Sequence, residues 1–180
     1  MNPELRSTLF KVLIPLLGIL IPLVVAKVRG FSLREFFGFH KPAGRLFALF
    51  LALWVMWMAL TEVVLHWLDP SGNPNWPPYP MLVIVLRILA IGILGPIMEE
   101  LIFRGVIYGK LSRRIGVPAT IIAIAIAWTL LHFRYDWTNL TVVFVDGLWF
   151  GYARHKTGSV FTPMAMHVMA NLFSIYQSLT

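Results

Sequence analysis

The segment Met98-Glu-Glu-Leu-Ile-Phe-Arg-Gly105 sets two adjacent carboxylates and an arginine inside an otherwise apolar stretch. Glu100 and Arg104 are four residues apart, so on a helix they share a face and can pair. Glu99 points about 100° away from that face and has no such counter-charge. A carboxylate in that situation is tuned toward general-base work near neutrality. His167 and Asn171 are also four apart, which sets an imidazole and a carboxamide side by side. Two neighbouring donors can hold an oxyanion, or they can bond a neighbouring helix. His132 ends the apolar run from Ile121 to Leu131, with Trp128 one turn earlier on the same face. Base, acid and oxyanion donors together are the components of hydrolysis, while a structural ion pair with interhelical hydrogen bonds is the plainer reading of the same residues.

These side chains need elements that hold them. Of 180 residues, 58% are hydrophobic and 13% charged, and the mean hydropathy is +0.77, so lipid is the expected solvent. Six segments approach the roughly 20 apolar residues of a spanning helix: 9 to 27, 46 to 68, 82 to 105, 117 to 133, 138 to 154 and 159 to 178. The expected fold is therefore all-α, a polytopic membrane bundle of about six transmembrane helices with a four-helix catalytic core. The stretch from Asp69 to Pro80 contains five prolines and cannot be helical. It divides an N-terminal two-span region with its proline-rich loop, 1 to 80, from a core of four spans, 81 to 180. Arg6 and Lys11 precede the first apolar run, yet no small-residue cleavage site follows it, so it reads as an uncleaved span. The third helix can continue to Arg114, protruding beyond the bilayer.

A net charge of +7 does not indicate nucleic acid, because the basic residues lie in short segments between apolar runs. Lys27, Arg29, Arg34, Lys41 and Arg45 occupy the first loop, Lys110, Arg113 and Arg114 the third, and Arg154 and Lys156 the fifth. The positive-inside rule then puts those loops in the cytoplasm and both termini outside. Zero cysteines exclude disulfides, thiol catalysis and cysteine-ligated zinc. Ionisable residues within spans are functional candidates by default. Glu62, Arg87 and Asp146 are isolated in sequence and read mainly as snorkelling or paired groups, and His40, His66 and His155 as solvated loop histidines. Gly92, Gly95 and Pro96 should bend the third helix or admit a neighbour, Pro163 lies one turn before His167, and Gly147 with Gly151 suits close helix packing.

The pattern resembles the CAAX protease and bacteriocin-processing (CPBP, or Abi) intramembrane proteases, which include the type II CAAX prenyl endopeptidases. That family's EExxxR motif is matched by Glu99, Glu100 and Arg104. Its FxxxH motif is met by Trp128 to His132 with tryptophan in place of phenylalanine, and its HxxxN motif by His167 and Asn171. Phe144, Gly147, Gly151, the Thr157-Gly158-Ser159 turn and Pro163 also fit the context of the third motif. The resemblance covers roughly residues 85 to 175. It implies that Glu99 and His132 activate a water, that His167 and Asn171 hold the oxyanion, and that Glu100 with Arg104 orients the site or binds a substrate C-terminus. Trp128 then shapes the substrate pocket.

The same resemblance implies a hydrolase that cuts a peptide bond near the terminus of a membrane-associated protein or peptide. A metal-dependent version is the nearest alternative, since Glu99, His132 and His167 are the ligand types of a catalytic zinc site. No HExxH helix is present, and a cofactor-free glutamate mechanism is preferred. A proton-coupled transporter and a non-enzymatic bacteriocin-immunity protein are the rivals from other classes. The expected setting is the cytoplasmic membrane of a prokaryote, with the lipid bilayer and the substrate as partners and no nucleic acid.

Overall fold

In hydrocarbon each backbone N–H and C=O must be bonded within its own segment, so the apolar runs fold as helices. A computed structural model describes residues 3–68 and 75–179. Seven helices follow one another among these residues: α1 (Pro3–Val28), α2 (Leu33–Phe37), α3 (Gly44–Leu68), α4 (Met81–Ile115), α5 (Val117–Leu131), α6 (Trp137–Thr157) and α7 (Phe161–Leu179). No strand occurs among the described residues. The chain is thus an all-helical membrane bundle. Its helices α1, α3 and α4 are long and apolar enough to cross a bilayer. Their outer faces carry large apolar side chains, with Ile14 60% and Val63 69% exposed, as a lipid-facing surface requires. α6 and α7 have 21 and 19 residues, about 30 Å of helix, but are more polar because they carry part of the site. α5 is apolar and only 15 residues long, about 22 Å, because His132 leaves helical geometry and a turn follows.

α4 is the axis of the bundle. Its 35 residues reach about 50 Å, well beyond a hydrocarbon core of roughly 30 Å, in agreement with a third helix that protrudes. Two of its turns, Ile88–Leu94 and Leu101–Ile107, are wound as π-helix and flank the α-helical Gly95–Glu100. Such widened turns concentrate at functional positions. Gly92 faces α7, where an added Cβ would stand 2.7 Å from Leu172. Gly147 and Gly151 face α5: a Cβ would stand 3.1 Å from the Ala125 Cα and 2.9 Å from Ile121. The close-packing reading of that glycine pair is therefore what the structure shows.

One element was not expected. The short α2 begins where Ser32 Oγ accepts the Glu35 N–H at 3.3 Å, and it ends at Gly38, in the left-handed region at φ 75°. It buries Phe37 completely against Leu101, Val160 and Met164. A second apolar cluster, centred on Phe50, Trp54, Ile124, Trp128, Phe150 and Met166, joins α3, α5, α6 and α7 beside α4. Half of the proline-rich stretch, residues 69 to 74, lies outside the described residues. Residues 75–80 are not helical, and the Trp76 N–H donates to the Ser178 carbonyl at 2.9 Å. Arg87, expected to snorkel, is instead held by partners: Glu4 and Thr8 of α1 at 3.4 Å each, and the ring of Tyr79 at 4.1 Å.

Replacing Gly147 by alanine should force α5 and α6 apart at a contact made by backbone atoms. The expected cost is about 1–3 kcal/mol, read as a lowered thermal midpoint in detergent.

Candidate active site

Three helices supply the expected site residues. Glu99, Glu100 and Arg104 stand on α4, Trp128 and His132 at the end of α5, and His167 with Asn171 on α7. Glu100 and Arg104 are fully buried and paired at 2.9 Å. Arg104 also donates from Nη2 to the Gly147 carbonyl at 3.1 Å, and its guanidinium lies 5.0 Å from the Trp128 ring and 5.3 Å from Phe150. Of the two roles expected for this pair, orientation of the site is compatible with the geometry. Contact with a substrate C-terminus is not, because Arg104 has no exposed surface and its Nη atoms are already committed.

Glu100 Oε1 accepts a second hydrogen bond, from His167 Nδ1 at 3.1 Å. An ionised carboxylate only accepts, so Nδ1 carries the proton and Nε2 is left for another partner. His132 is arranged similarly: its Nδ1 donates to the Trp128 carbonyl at 2.9 Å, which again leaves Nε2 available. The Trp128 ring meets both imidazoles edge-on, 5.0 Å from His132 and 5.2 Å from His167, and Phe150 stacks on His167 at 5.1 Å.

Glu99 is not without a partner, as its sequence position suggested. Trp128 Nε1 donates to Glu99 Oε2 at 2.6 Å. The residue that departs from the FxxxH pattern thus reaches the carboxylate with a donor that phenylalanine lacks. Asn171 also differs from expectation, since its Nδ2 donates to the Ile91 carbonyl at 2.9 Å, in the first π-helical turn of α4. One amide hydrogen is spent on backbone left exposed by that turn, and the other remains.

Glu99, Trp128, His132, His167 and Asn171 line one cavity of about 250 Å³. α3 closes its far side with Trp54, Trp57 and Glu62, although the N-terminal spans carry no motif. Asp146 lines it too, its Oδ1 accepting from Trp57 Nε1 at 2.7 Å. The position of Asp146 next to Gly147, in the glycine stripe that approaches α5, was the available sign that it faces inward. Glu62 accepts from Gln177 at 2.6 Å. His66 and His155, expected in or near loops, are exposed in the last turns of α3 and α6, while His40 is half-buried beside Gly158.

Among the described residues no three histidine, aspartate or glutamate side chains stand close enough together to hold a metal ion. Glu99, His132 and His167 are instead arranged around the Trp128 indole, so this conformation does not form the tetrahedral ligand set of a zinc site.

A neutral replacement of Arg104, such as Arg104→Leu, leaves the Glu100 charge buried with only His167 beside it. Denaturant titration should show a loss of about 3–5 kcal/mol, far more than for exposed Arg113→Leu.

Residues 80–173 match the family described as Type II CAAX prenyl endopeptidase Rce1-like. A Bacillus subtilis protein bearing the name "Putative membrane peptidase YdiL" is 28% identical over 94 residues, which are 52% of this chain and 38% of that protein. The chain therefore covers well under half of that relative's length. No solved structure matches. With over half of its length, every motif residue included, inside the matched region, the chain belongs to the Rce1-like family of type II CAAX prenyl endopeptidases.

Proposed function

We propose that this chain is an intramembrane endopeptidase in which Glu99 and His132 activate a water that attacks the scissile carbonyl. The observation that carries this reading is the convergence of Glu99, His132, His167 and Asn171, from three helices, on one cavity inside a membrane bundle. With Oε2 tied to Trp128, Glu99 presents Oε1 to water. That oxygen takes a proton as the water oxygen bonds to carbon. Glu99 hands that proton to the free Nε2 of His132, which passes it to the amide nitrogen as the C–N bond breaks, leaving a carboxylic acid and an amine with both side chains back in their starting states.

The negative charge that develops on the carbonyl oxygen needs donors in place beforehand. His167 fits that role in its protonated form, in which Nδ1–H is held by Glu100 and Nε2–H is left for a partner. Asn171 offers its remaining amide hydrogen. Glu100 and Arg104 act on the reaction through His167 and α6, as positioning residues.

An apolar cleft of about 480 Å³ between α3 and α6 shares Trp57, Thr61 and Val142 with the polar cavity. It supports a substrate presented from the lipid, that is, a membrane-associated protein or peptide. The name of the Bacillus relative supports the peptidase class, and its bacterial origin supports a prokaryotic cytoplasmic membrane as the setting. We favour a mechanism without metal over a zinc-dependent one, because Glu99, His132 and His167 do not stand close enough together to hold one ion in this conformation.

Glu99→Gln in nanodiscs should lower peptide cleavage by on the order of 10²–10⁴-fold with the fold unchanged, measured by mass spectrometry of the products. Full retention of cleavage by that variant refutes the mechanism. Chelation with EDTA or phenanthroline should leave wild-type cleavage within about twofold, whereas a loss restored by added zinc would establish the metal mechanism.

A further inference from the structure

The cavity has a charge balance that water activation does not explain. Its ionisable lining consists of three carboxylates, Glu62, Glu99 and Asp146, and two imidazoles, with no lysine or arginine. Arg104, directly behind it, is sealed by Glu100 and the Gly147 carbonyl. Glu99 belongs to the proposed chemistry. Asp146 and Glu62 do not, and each has a neutral hydrogen-bond partner: the Trp57 indole at 2.7 Å and the Gln177 amide at 2.6 Å. A neutral donor orients a carboxylate but does not compensate its charge, and in a site enclosed by helices that leaves a strong preference for a cation. The neighbouring indole of Trp57 suits the same visitor, since such rings attract ammonium and guanidinium groups.

A second observation concerns a different polar group. Trp54 also lines the cavity, is 1% exposed, and its indole N–H has no hydrogen-bond partner among the described residues. A buried donor of that kind is costly until an acceptor arrives, and a peptide carbonyl is such an acceptor. An anionic wall in need of a cation and a lone donor in need of a carbonyl describe one ligand.

We propose that the peptide accepted by this cavity carries a lysine or arginine side chain beside the bond to be cut, with Asp146 and Glu62 receiving the cationic end. The proposal rests on the endopeptidase reading and narrows its substrate class. About 250 Å³ is smaller than most pockets that enclose whole ligands, and it suits one long side chain together with the reacting peptide bond.

Binding and turnover are tested separately on the full chain in nanodiscs. For binding, the Glu99→Gln protein is titrated with acyl-anchored peptides in which a single lysine is moved along an alanine-leucine segment. Each peptide has a norleucine twin, and quenching of tryptophan fluorescence reports occupancy. At least one register should bind about tenfold more tightly as lysine than as norleucine. Adding Asp146→Asn, which keeps an acceptor for Trp57, should bring that ratio below about twofold, and Glu62→Gln should reduce it in part. The proposal is overturned if no lysine peptide exceeds its twin, or if both substitutions leave the preference intact. Wild-type cleavage of the same peptides is then followed by mass spectrometry. Lysine-selective binding without any cleavage would refute the endopeptidase reading while keeping cation recognition, and cleavage indifferent to lysine would do the reverse.

Discussion

Two formal charges with no exposed surface, Glu100 and Arg104, impose conditions on three neighbouring helices at once. Burying either one alone would be prohibitive, and the pair is compensated by the partners it does make, with Glu100 Oε2 and Arg104 Nε left unbonded among the described residues. Arg104 reaches α6 through the Gly147 carbonyl and rests on aromatic rings of α5 and α6, while Glu100 reaches α7 through His167. The glycine at 147 has a double purpose in this light: it lets α5 come close and brings its carbonyl to the guanidinium. Helix packing and the orientation of His167 are thus consequences of one charge pair. Nothing comparable would hold a bundle together in lipid by apolar contact alone, since lipid tails solvate leucine as well as another leucine does.

Around that anchor, Trp128 organises the polar groups that line the cavity. Its ring separates His132 from His167, its carbonyl orients the first, and its N–H holds Glu99. Substituting indole for a phenyl ring therefore changes more than the shape of a pocket. It fixes which oxygen of Glu99 faces the cavity, and it makes the carboxylate and the α5 histidine depend on the same residue.

Much of this was legible in the amino-acid sequence. The Glu100–Arg104 pairing follows from a spacing of four on a helix, and the spans follow from hydropathy, because both are properties of a single segment. The α2 helix was equally local: Ser32, Glu35 and Gly38 are a cap, its partner and a terminator, though they sit in a loop otherwise notable for its basic residues. Contacts between segments were not legible. The indole bond to Glu99, the Asn171 bond to Ile91 and the placement of Asp146 against Trp57 each join residues 29 to 89 positions apart. Hydropathy places such helices in the membrane but does not say how each is rotated about its axis. The same ignorance hid the contribution of α3, which has no motif and yet forms a wall of the cavity.

The two π-helical turns of α4 bear on how this chain can change length. A π turn accommodates about one more residue than the α turn it replaces, so each behaves as an insertion absorbed into a helix that keeps its ends in place. Removing one residue from Ile88–Leu94 would let that turn relax to ordinary helix with both flanks in register, whereas removing one from the α-helical Gly95–Met98 would rotate everything beyond it by about 100° relative to what comes before. With the upstream end of α4 tied to α1 through Arg87, Glu99 and Glu100 would swing out of their positions. Single-residue deletions within Gly95–Met98 are therefore far more disruptive than substitutions there, and the π turns Ile88–Leu94 and Leu101–Ile107 are where this helix can differ by one residue with both flanks in register.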